Sequence, residues 1–356
     1  MKIIVTLIIT LSFVVIGCKS NKIVYSKYDN SIKDRINNSK NTDDFFTKKD
    51  TILLPNNVVN KIDFNAIVLY KNSNLYFFNP LSKNIIILDK KGKIIKLVGQ
   101  SGEGPGEMRN IVCATVNDSN IYIYDNILSR FTIYDKYGNF EKLISTDILD
   151  IRAICADKLG SIYIHHPPQA KYNSFLSIIK RDGRIINIGA YDNGYKSYYI
   201  RGFLDGNIIC DNNNVFFSNI YDYKISKYDL FRNTYNQFGK KPKDFIKLKK
   251  ENNLSNFNKL SDNYQKATIV LSLHLIDKSR LLLQELINFP QNIKKRENHR
   301  LIFYNKNGLY LGYLKIPPGN LFASSNGDIL VQFLYLPPNF NVNSTEPLCK
   351  VILYQL

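Results

Sequence analysis

Arginine is scarce in this 356-residue chain, and three of its eleven arginines stand at matching places. Arg109 precedes Ile111-Val-Cys, Arg152 precedes Ile154-Cys and Arg201 precedes Phe203-Leu, while Lys266 takes the corresponding place further on. A guanidinium offers a planar fork of donors that fits carboxylate, sulfate or phosphate oxygens, so these cations around one opening would bind an anion. Each has a competing use, because Glu107, Asp150 and Asp205 lie close by in sequence and could absorb the charge locally.

Other chemistry is harder to place. Asn65, Asn110 and Asp157 are weak candidate metal ligands for a hydrolase or lyase. His165-His166 would point to opposite sides of an extended chain, so the pair cannot face one metal without a bend. Gly102-Glu-Gly-Pro-Gly106 lacks the G-x-G-x-x-G spacing of a phosphate cradle and leads into a strand. No Ser/His/Asp or Cys/His arrangement can be located, so no catalytic residue, metal or cofactor is assigned. The formal charge of +18 would suit nucleic acid, yet Lys, Asn, Ile and Tyr are abundant throughout and the lysines are spread along the chain. The charge is read as compositional bias, and nucleic acid is not an expected partner.

The elements that must carry these residues repeat. A polar turn ending in glycine recurs as Asp89-Lys-Lys-Gly92, Asp135-Lys-Tyr-Gly138, Lys180-Arg-Asp-Gly183 and Asn305-Lys-Asn-Gly308, with a glycine-free version at Asp229–Arg232. A second turn precedes apolar strands at Leu75, Ile121, Ile162, Val215, Leu281 and Ile329. Strand, turn, strand, loop, strand, turn, strand is one antiparallel meander, and its recurrence at roughly 40–50 residues specifies a propeller. The expected fold is all-β: a six-bladed β-propeller of four-stranded antiparallel blades. Its blades would occupy about Lys61–Lys96, Arg109–Leu143, Ile151–Ile188, Gly202–Phe238, Lys266–Lys315 and Asn320–Leu356. The last shows only three strands, so Thr51–Val59 is expected to close the ring as its outer strand, with Pro55 tolerated at an edge.

The chain begins with one lysine, an apolar run from Ile3 to Ile16, then Gly17-Cys18. The run is short for a membrane span and has the pattern of a secretory signal. Residues 1–17 resemble a bacterial lipoprotein signal peptide, which would make Cys18 the lipidated N-terminus; the alternative is an uncleaved anchor or an ordinary signal peptide. Residues 18–50 are polar and read as a flexible tether, with a brief helix around Ile32–Ile36 as the alternative, leaving 51–356 as the propeller. The anchor implies a cell-envelope protein of a Gram-negative bacterium. Lys19-Ser20-Asn21-Lys22 has no acidic run, which favours the periplasm-facing side and leaves surface exposure open.

In a propeller the inner strands begin on the face carrying the loops between blades and between second and third strands. The long excursions Lys240–Gln265, Pro167–Asn173, Asn288–Asn298 and Leu336–Pro347 belong to that face, and long loops tend to carry function. Lys240–Gln265 is an insertion between blades four and five, with helical spacing at Phe245, Ile246 and Leu248, expected as a short helix or lid. Cys113, Cys155 and Cys210 fall on or beside inner strands and Cys349 on a blade-six strand. Inner strands of neighbouring blades usually diverge, so buried free thiols are expected.

Val15-Ile16-Gly17-Cys18, Ile85-Ile-Ile-Leu-Asp89-Lys-Lys-Gly92 and above all Gly99-Gln-Ser-Gly-Glu-Gly-Pro-Gly-Glu107 resemble the six-bladed β-propeller lipoproteins of bacterial envelopes, which are similar in pattern to NHL-repeat propellers. The specific part of the resemblance is Leu75–Phe140; later blades keep only the turns. It implies a fold and a location and transfers no activity. Two functions follow as expectations: an envelope-anchored module binding an anionic glycan, peptide or protein partner at the loop-rich channel mouth, or a metal-dependent hydrolase or lyase in the central channel. The anchor has a direct test. Cys18→Ser should abolish metabolic labelling with a fatty acid and release the protein from membranes; unlabelled wild-type protein would refute lipidation.

Overall fold

The computed structural model describes residues 26–40, 42–63, 66–169, 171–174, 176–190, 192–200, 206–211, 213–251, 253, 255–276, 280–288, 299–315, 322–326, 329–335 and 349–355. Its first strand, β1 (Thr47–Leu53), belongs to the last blade. Blade one is β2 (Ile67–Lys71), β3 (Asn74–Asn79), β4 (Asn84–Leu88) and β5 (Ile94–Val98). A two-stranded crossover of β6 (Gln100–Ser101) and β7 (Glu107–Met108) leads to blade two, β8 (Ile111–Val116), β9 (Asn120–Asp125), β10 (Arg130–Asp135) and β11 (Phe140–Ser145). Blade three is β12 (Ala153–Ala156), β13 (Ile162–His165), β14 (Leu176–Ile179) and β15 (Ile185–Ile188). Blade four is β16 (Gly206–Cys210), β17 (Asn214–Asn219), β18 (Ile225–Asp229) and β19 (Thr234–Phe238). Blade five is β20 (Thr268–Ile276), β21 (Leu281–Asn288), β22 (His299–Asn305) and β23 (Tyr310–Lys315). Blade six runs β24 (Phe322–Asn326), β25 (Ile329–Tyr335), β26 (Cys349–Gln355) and then β1. The inner strand β24 touches both β20 and β2, so the ring is closed.

The recurring turn has a side-chain cause. Asp89 accepts the backbone N–H groups of Lys91 and Lys93 at 2.8 and 2.9 Å, Asp135 those of Tyr137 and Asn139 at 2.8 Å, and Asn305 those of Asn307 and Leu309 at 3.0 Å. The glycine after each adopts a left-handed φ of +80°, +79° and +87°, a conformation an L side chain resists. In the glycine-free blade four, Asp229 caps Phe231 and Arg232 and Asn233 takes the left-handed position at φ 54°. Middle strands such as β3, β9, β13 and β21 are buried on both faces because a neighbouring blade stands on each side, whereas β11 and β19 are largely exposed. That is why the middle strands read as continuous apolar runs instead of alternating ones.

The closing strand is displaced from its expected position. β1 pairs antiparallel with β26 over Thr47–Leu53, with Thr51 opposite Ile352 and Ile52 opposite Val351. Pro55 is outside it, at the N-cap of a one-turn helix Asn56–Val59 whose Val58 and Val59 pack under blade one. Closure by an N-terminal strand holds; its span shifts because proline suits a helix start better than a ladder.

The expected tether is also corrected. From Lys27 the chain forms α1 (Lys27–Asn38), started by a capping box between Ser26 and Asp29. Ile32 and Ile36 press onto blade five beside Leu311 and Leu314. Gly312 makes room for them, since a Cβ there would come within 2.9 Å of Ile36 Cγ2. Phe45 and Phe46 are buried against Phe303, with Phe45 and Phe303 ring centroids 4.7 Å apart. A polar segment is thus held by a few apolar residues placed over a neighbour's groove. Residues 1–25, including Cys18, lie outside the described residues. Phe45→Ala should destabilise the domain by about 3–5 kcal/mol in urea unfolding, as expected for a fully buried aromatic; a loss below about 1 kcal/mol would return this segment to the status of a tether.

Candidate functional site

The expected cationic ring distributes its charge locally. Arg109 pairs with Glu103 at 2.8 Å and is half exposed, Arg152 pairs with Asp150 at 2.7 Å, and Lys266, just after the insertion helix, pairs with Asp262 at 2.7 Å. Each carboxylate lies close to its cation in sequence, and none of the three cations lines either cavity described below. Arg201 and Asn65 fall outside the described residues. Asn110 bonds Asn126 at 2.7 Å. Asp157 is buried and structural: its carboxylate accepts Leu159 N–H, Ser161 N–H and the Tyr163 hydroxyl at 2.7–2.9 Å. Among the described residues no three His, Cys, Asp or Glu side chains gather as a metal site.

The glycine-rich crossover is a self-contained knot. Glu107 accepts Gly104 N–H at 2.8 Å and the Gln100 amide at 2.7 Å, and Tyr134 donates to Gly106 O at 2.7 Å. Arg130 bonds the carbonyls of Gly104 and Glu107 at 3.0 and 3.1 Å. Its polar groups therefore serve the fold. His165 and His166 are both buried and turn apart: His166 meets Ser177 Oγ at 2.8 Å within its own blade, while the His165 ring lies near Tyr199 across the interface. Burial, with His166 and Arg152 close by, lowers His165 to about 3, so it stays neutral.

A cavity of about 410 Å³ occupies the central channel, but where the inner strands end, opposite the expected face. At its wall Asp118 holds Lys71 at 3.0 Å and Lys158 at 3.5 Å, tying the ends of β2, β8 and β12 together. Burial works to raise the Asp118 carboxyl, but the Lys71 hydrogen bond and both ammonium charges outweigh it and hold the group below the usual carboxylate range. On blade five Ser272 lies 2.7 Å from both His274 Nε2 and Glu285 Oε2. Here the hydroxyl gives its proton to the carboxylate, so the imidazole is not placed as its base. Burial also lowers His274 to about 4. The sequence hid this cluster because Ser272 and Glu285 meet only through cross-strand register.

The second cavity, about 500 Å³, lies on the expected face but at the outer part of blade five. The start of the insertion folds over β22 and β23, so that Lys240, Lys241, Lys243, Lys315 and Arg300 surround it with Asp244 as the one carboxylate among the described residues of its lining. Five cations against one carboxylate leave four positive charges in excess. Arg300, whose side chain is 14% exposed, is held by Asp244 through both terminal nitrogens, and its Nε is buried without a partner among the described residues. Asn288 donates to the same Asp244 carboxylate at 3.2 Å, and the guanidinium carbon lies 5.8 Å from the Tyr313 ring. Lys240 N–H donates to Tyr304 Oη at 3.1 Å, which fixes the lysine-rich segment over the blade. Sequence reading placed Lys240–Gln265 over the right face but followed the arginine spacing away from it. Lys240-Lys-Pro-Lys243 facing Lys315 was the available signal.

The rest of the insertion supports this start. Phe245, Ile246 and Leu248 are not helical as expected; the helix is α2 (Phe257–Gln265), further along. Phe245 and Leu248 are buried, and Ile246 exchanges hydrogen bonds with Thr268 at 2.8 Å. Tyr195 and Tyr198, from the preceding interblade connection, donate to the carbonyls of Leu248 and Lys249. Two connections are thereby stitched into one cover over blades four and five.

A family model described as a 6-bladed beta-propeller matches residues 26–314. Among solved structures, a candidate exported protein from Bacteroides fragilis is similar at 14% identity and TM-score 0.61, covering 89% of this chain and 96% of that one. A member of the DUF4221 family from Bacteroides vulgatus is similar at 11% identity and TM-score 0.58, covering 87% and 97%. At these identities the likeness is one of fold. No curated relative matches the sequence.

Proposed function

Because this chain belongs to a family of 6-bladed beta-propellers, a fold that prescribes no reaction, we propose that it is an exported binding module for an anionic ligand. The observation that carries this reading is the charge of the cleft, where Arg300, a largely buried guanidinium, and four lysines face one carboxylate among the described residues. Taking a guanidinium out of water is costly, and one carboxylate recovers only part of that cost. A ligand carboxylate or sulfate would meet preoriented donors there, with the surrounding lysines raising its local concentration. Tyr310 and Tyr313 supply apolar faces of the kind a sugar ring packs against. An acidic oligosaccharide is therefore the first ligand class, with peptide carboxylates second.

Export and anchoring complete the proposal. The signal-like segment ending at Cys18 supports a lipid anchor, and the similar Bacteroides fragilis structure, named as a candidate exported protein, supports an envelope location. No helix among the described residues is long and apolar enough to cross a membrane. The Arg109, Arg152 and Lys266 positions remain a second place to test for the same ligand, and one titration compares the two. A uronic-acid oligosaccharide should bind the wild-type protein in calorimetry and weaken with added salt, while its neutral counterpart should not bind. Arg300→Ala should lose about 1.5–3 kcal/mol of binding, the worth of a charged hydrogen bond, and Arg152→Ala should lose little. Affinity that falls with Arg152→Ala and ignores Arg300→Ala would move the site to the channel mouth.

A further inference from the structure

Two cysteines meet in the wall of the central channel. Cys155 lies two residues before Asp157 on β12, and Cys210 lies one residue before Asp211 on β16. The two aspartates are equivalent points of successive blades, each capping the turn after an inner strand. Side chains alternate along a strand, so positions one and two before that point face opposite neighbours. Ala156, one before, packs toward blade two, whereas Cys155 packs toward blade four. Cys210, one before in the next blade, faces back toward blade three. The odd offset therefore aims both thiols into the same interblade seam.

The geometry follows that rule. β12 and β16 run side by side with Cα atoms within 8 Å of each other, and the thiols on them are free, as expected. Cys210 Sγ lies 3.3 Å from the carbonyl of Ala156, the residue next to Cys155, and the two thiols are within hydrogen-bonding reach of each other. Both are free in this structure, Cys155 buried and Cys210 half-buried, and both line the channel cavity. Cys113 is also buried, but it belongs to the seam between blades two and three.

We propose that Cys155 and Cys210 form a redox-active pair that closes into a disulfide cross-linking blades three and four at the channel wall. The co-reactant is an external disulfide, whether a small molecule or an exposed disulfide of a thiol oxidoreductase. The half-buried Cys210 thiolate attacks one of its sulfurs, forming a mixed disulfide and releasing the first external thiolate. Cys155 then loses its proton to that thiolate, and its sulfur attacks Cys210 Sγ, releasing the second external thiolate, which takes up the Cys210 proton. The external disulfide is reduced to two thiols and the cysteine pair is oxidised, with the protons conserved. Burial holds the Cys155 thiol well above its ordinary range, so Cys210 is the entering nucleophile. The proposal relies on the export reading only for the oxidising compartment.

Purified full-length protein, incubated with oxidised glutathione and then denatured and alkylated, tests the chemistry without reference to export. Peptide mapping should find the Cys155 and Cys210 peptides joined and lighter by two hydrogens than the sum of the reduced peptides. Cys113 should remain alkylatable, and the oxidised protein should unfold at a higher Tm than the reduced one. In Cys155→Ala the glutathione adduct should accumulate on Cys210, because no second thiol can displace it. Alkylation of both thiols in the wild-type protein, or a glutathione adduct that persists on Cys210 there, would overturn the pair. Alkylation of intact cells then reads location separately: a pair that closes in the tube but stays reduced in the cell counts against the export reading and leaves the chemistry standing.

Discussion

Every blade buries both faces only if another stands on each side, so this fold depends on the ring being shut. A propeller whose last sheet ended at β26 would leave that strand's outer hydrogen-bonding groups bare. The chain meets this constraint by reaching back to its beginning, where β1 supplies the fourth strand of blade six. The same N-terminal stretch then extends the closure. α1, Phe45 and Phe46 cover the outer part of blade five next to the seam with blade six, and Asp29 receives a hydrogen bond from Asn305 at 3.1 Å. Closure is thus a belt of ladder, helix and aromatic contacts made by residues far apart in the chain.

Blade repetition was legible because it is written in local chemistry. Asp89, Asp135 and Asn305 cap their turns with their own side chains, and a glycine follows where the backbone turns left-handed. The closing strand was legible from the missing fourth strand of blade six, although its register was not, because Pro55 resembles an edge residue and a helix start equally. α1 was hidden. Its core contacts come from Ile32 and Ile36, too few for a strong periodic signal, and its stability depends on the space left by Gly312 nearly three hundred residues later. Burial of that kind is tertiary and has no local signature.

The candidate site was half legible for a similar reason. Loop lengths pointed to the face that carries the cleft, whereas Arg201, one of the four matching cations, lies outside the described residues. Arg109, Arg152 and Lys266 find carboxylates close by in sequence. Exposed pairs of this type contribute little stability, yet they reduce the field each cation would project toward a ligand. In the blade-five cleft the balance reverses. Among the described residues one carboxylate, Asp244, faces five cations, and the cover stitched by Tyr195 and Tyr198 holds the insertion in place behind Lys240–Lys243. At the channel cavity Asp118 sits between two lysines, and Asp157 and Asp211 also line the wall, so no positive charge is left in excess among the described lining residues.

The central claim is that this cleft, and not the channel, receives an anion. Lysine reactivity reads it directly: acylate the protein with a water-soluble ester, with and without a saturating uronic-acid oligosaccharide, and quantify modification at each lysine by mass spectrometry. The account predicts protection of Lys240, Lys241, Lys243 and Lys315, with Lys71, Lys158 and Lys266 unchanged. Protection confined to Lys266 or to the channel lysines, with the four cleft lysines reacting as before, would contradict it.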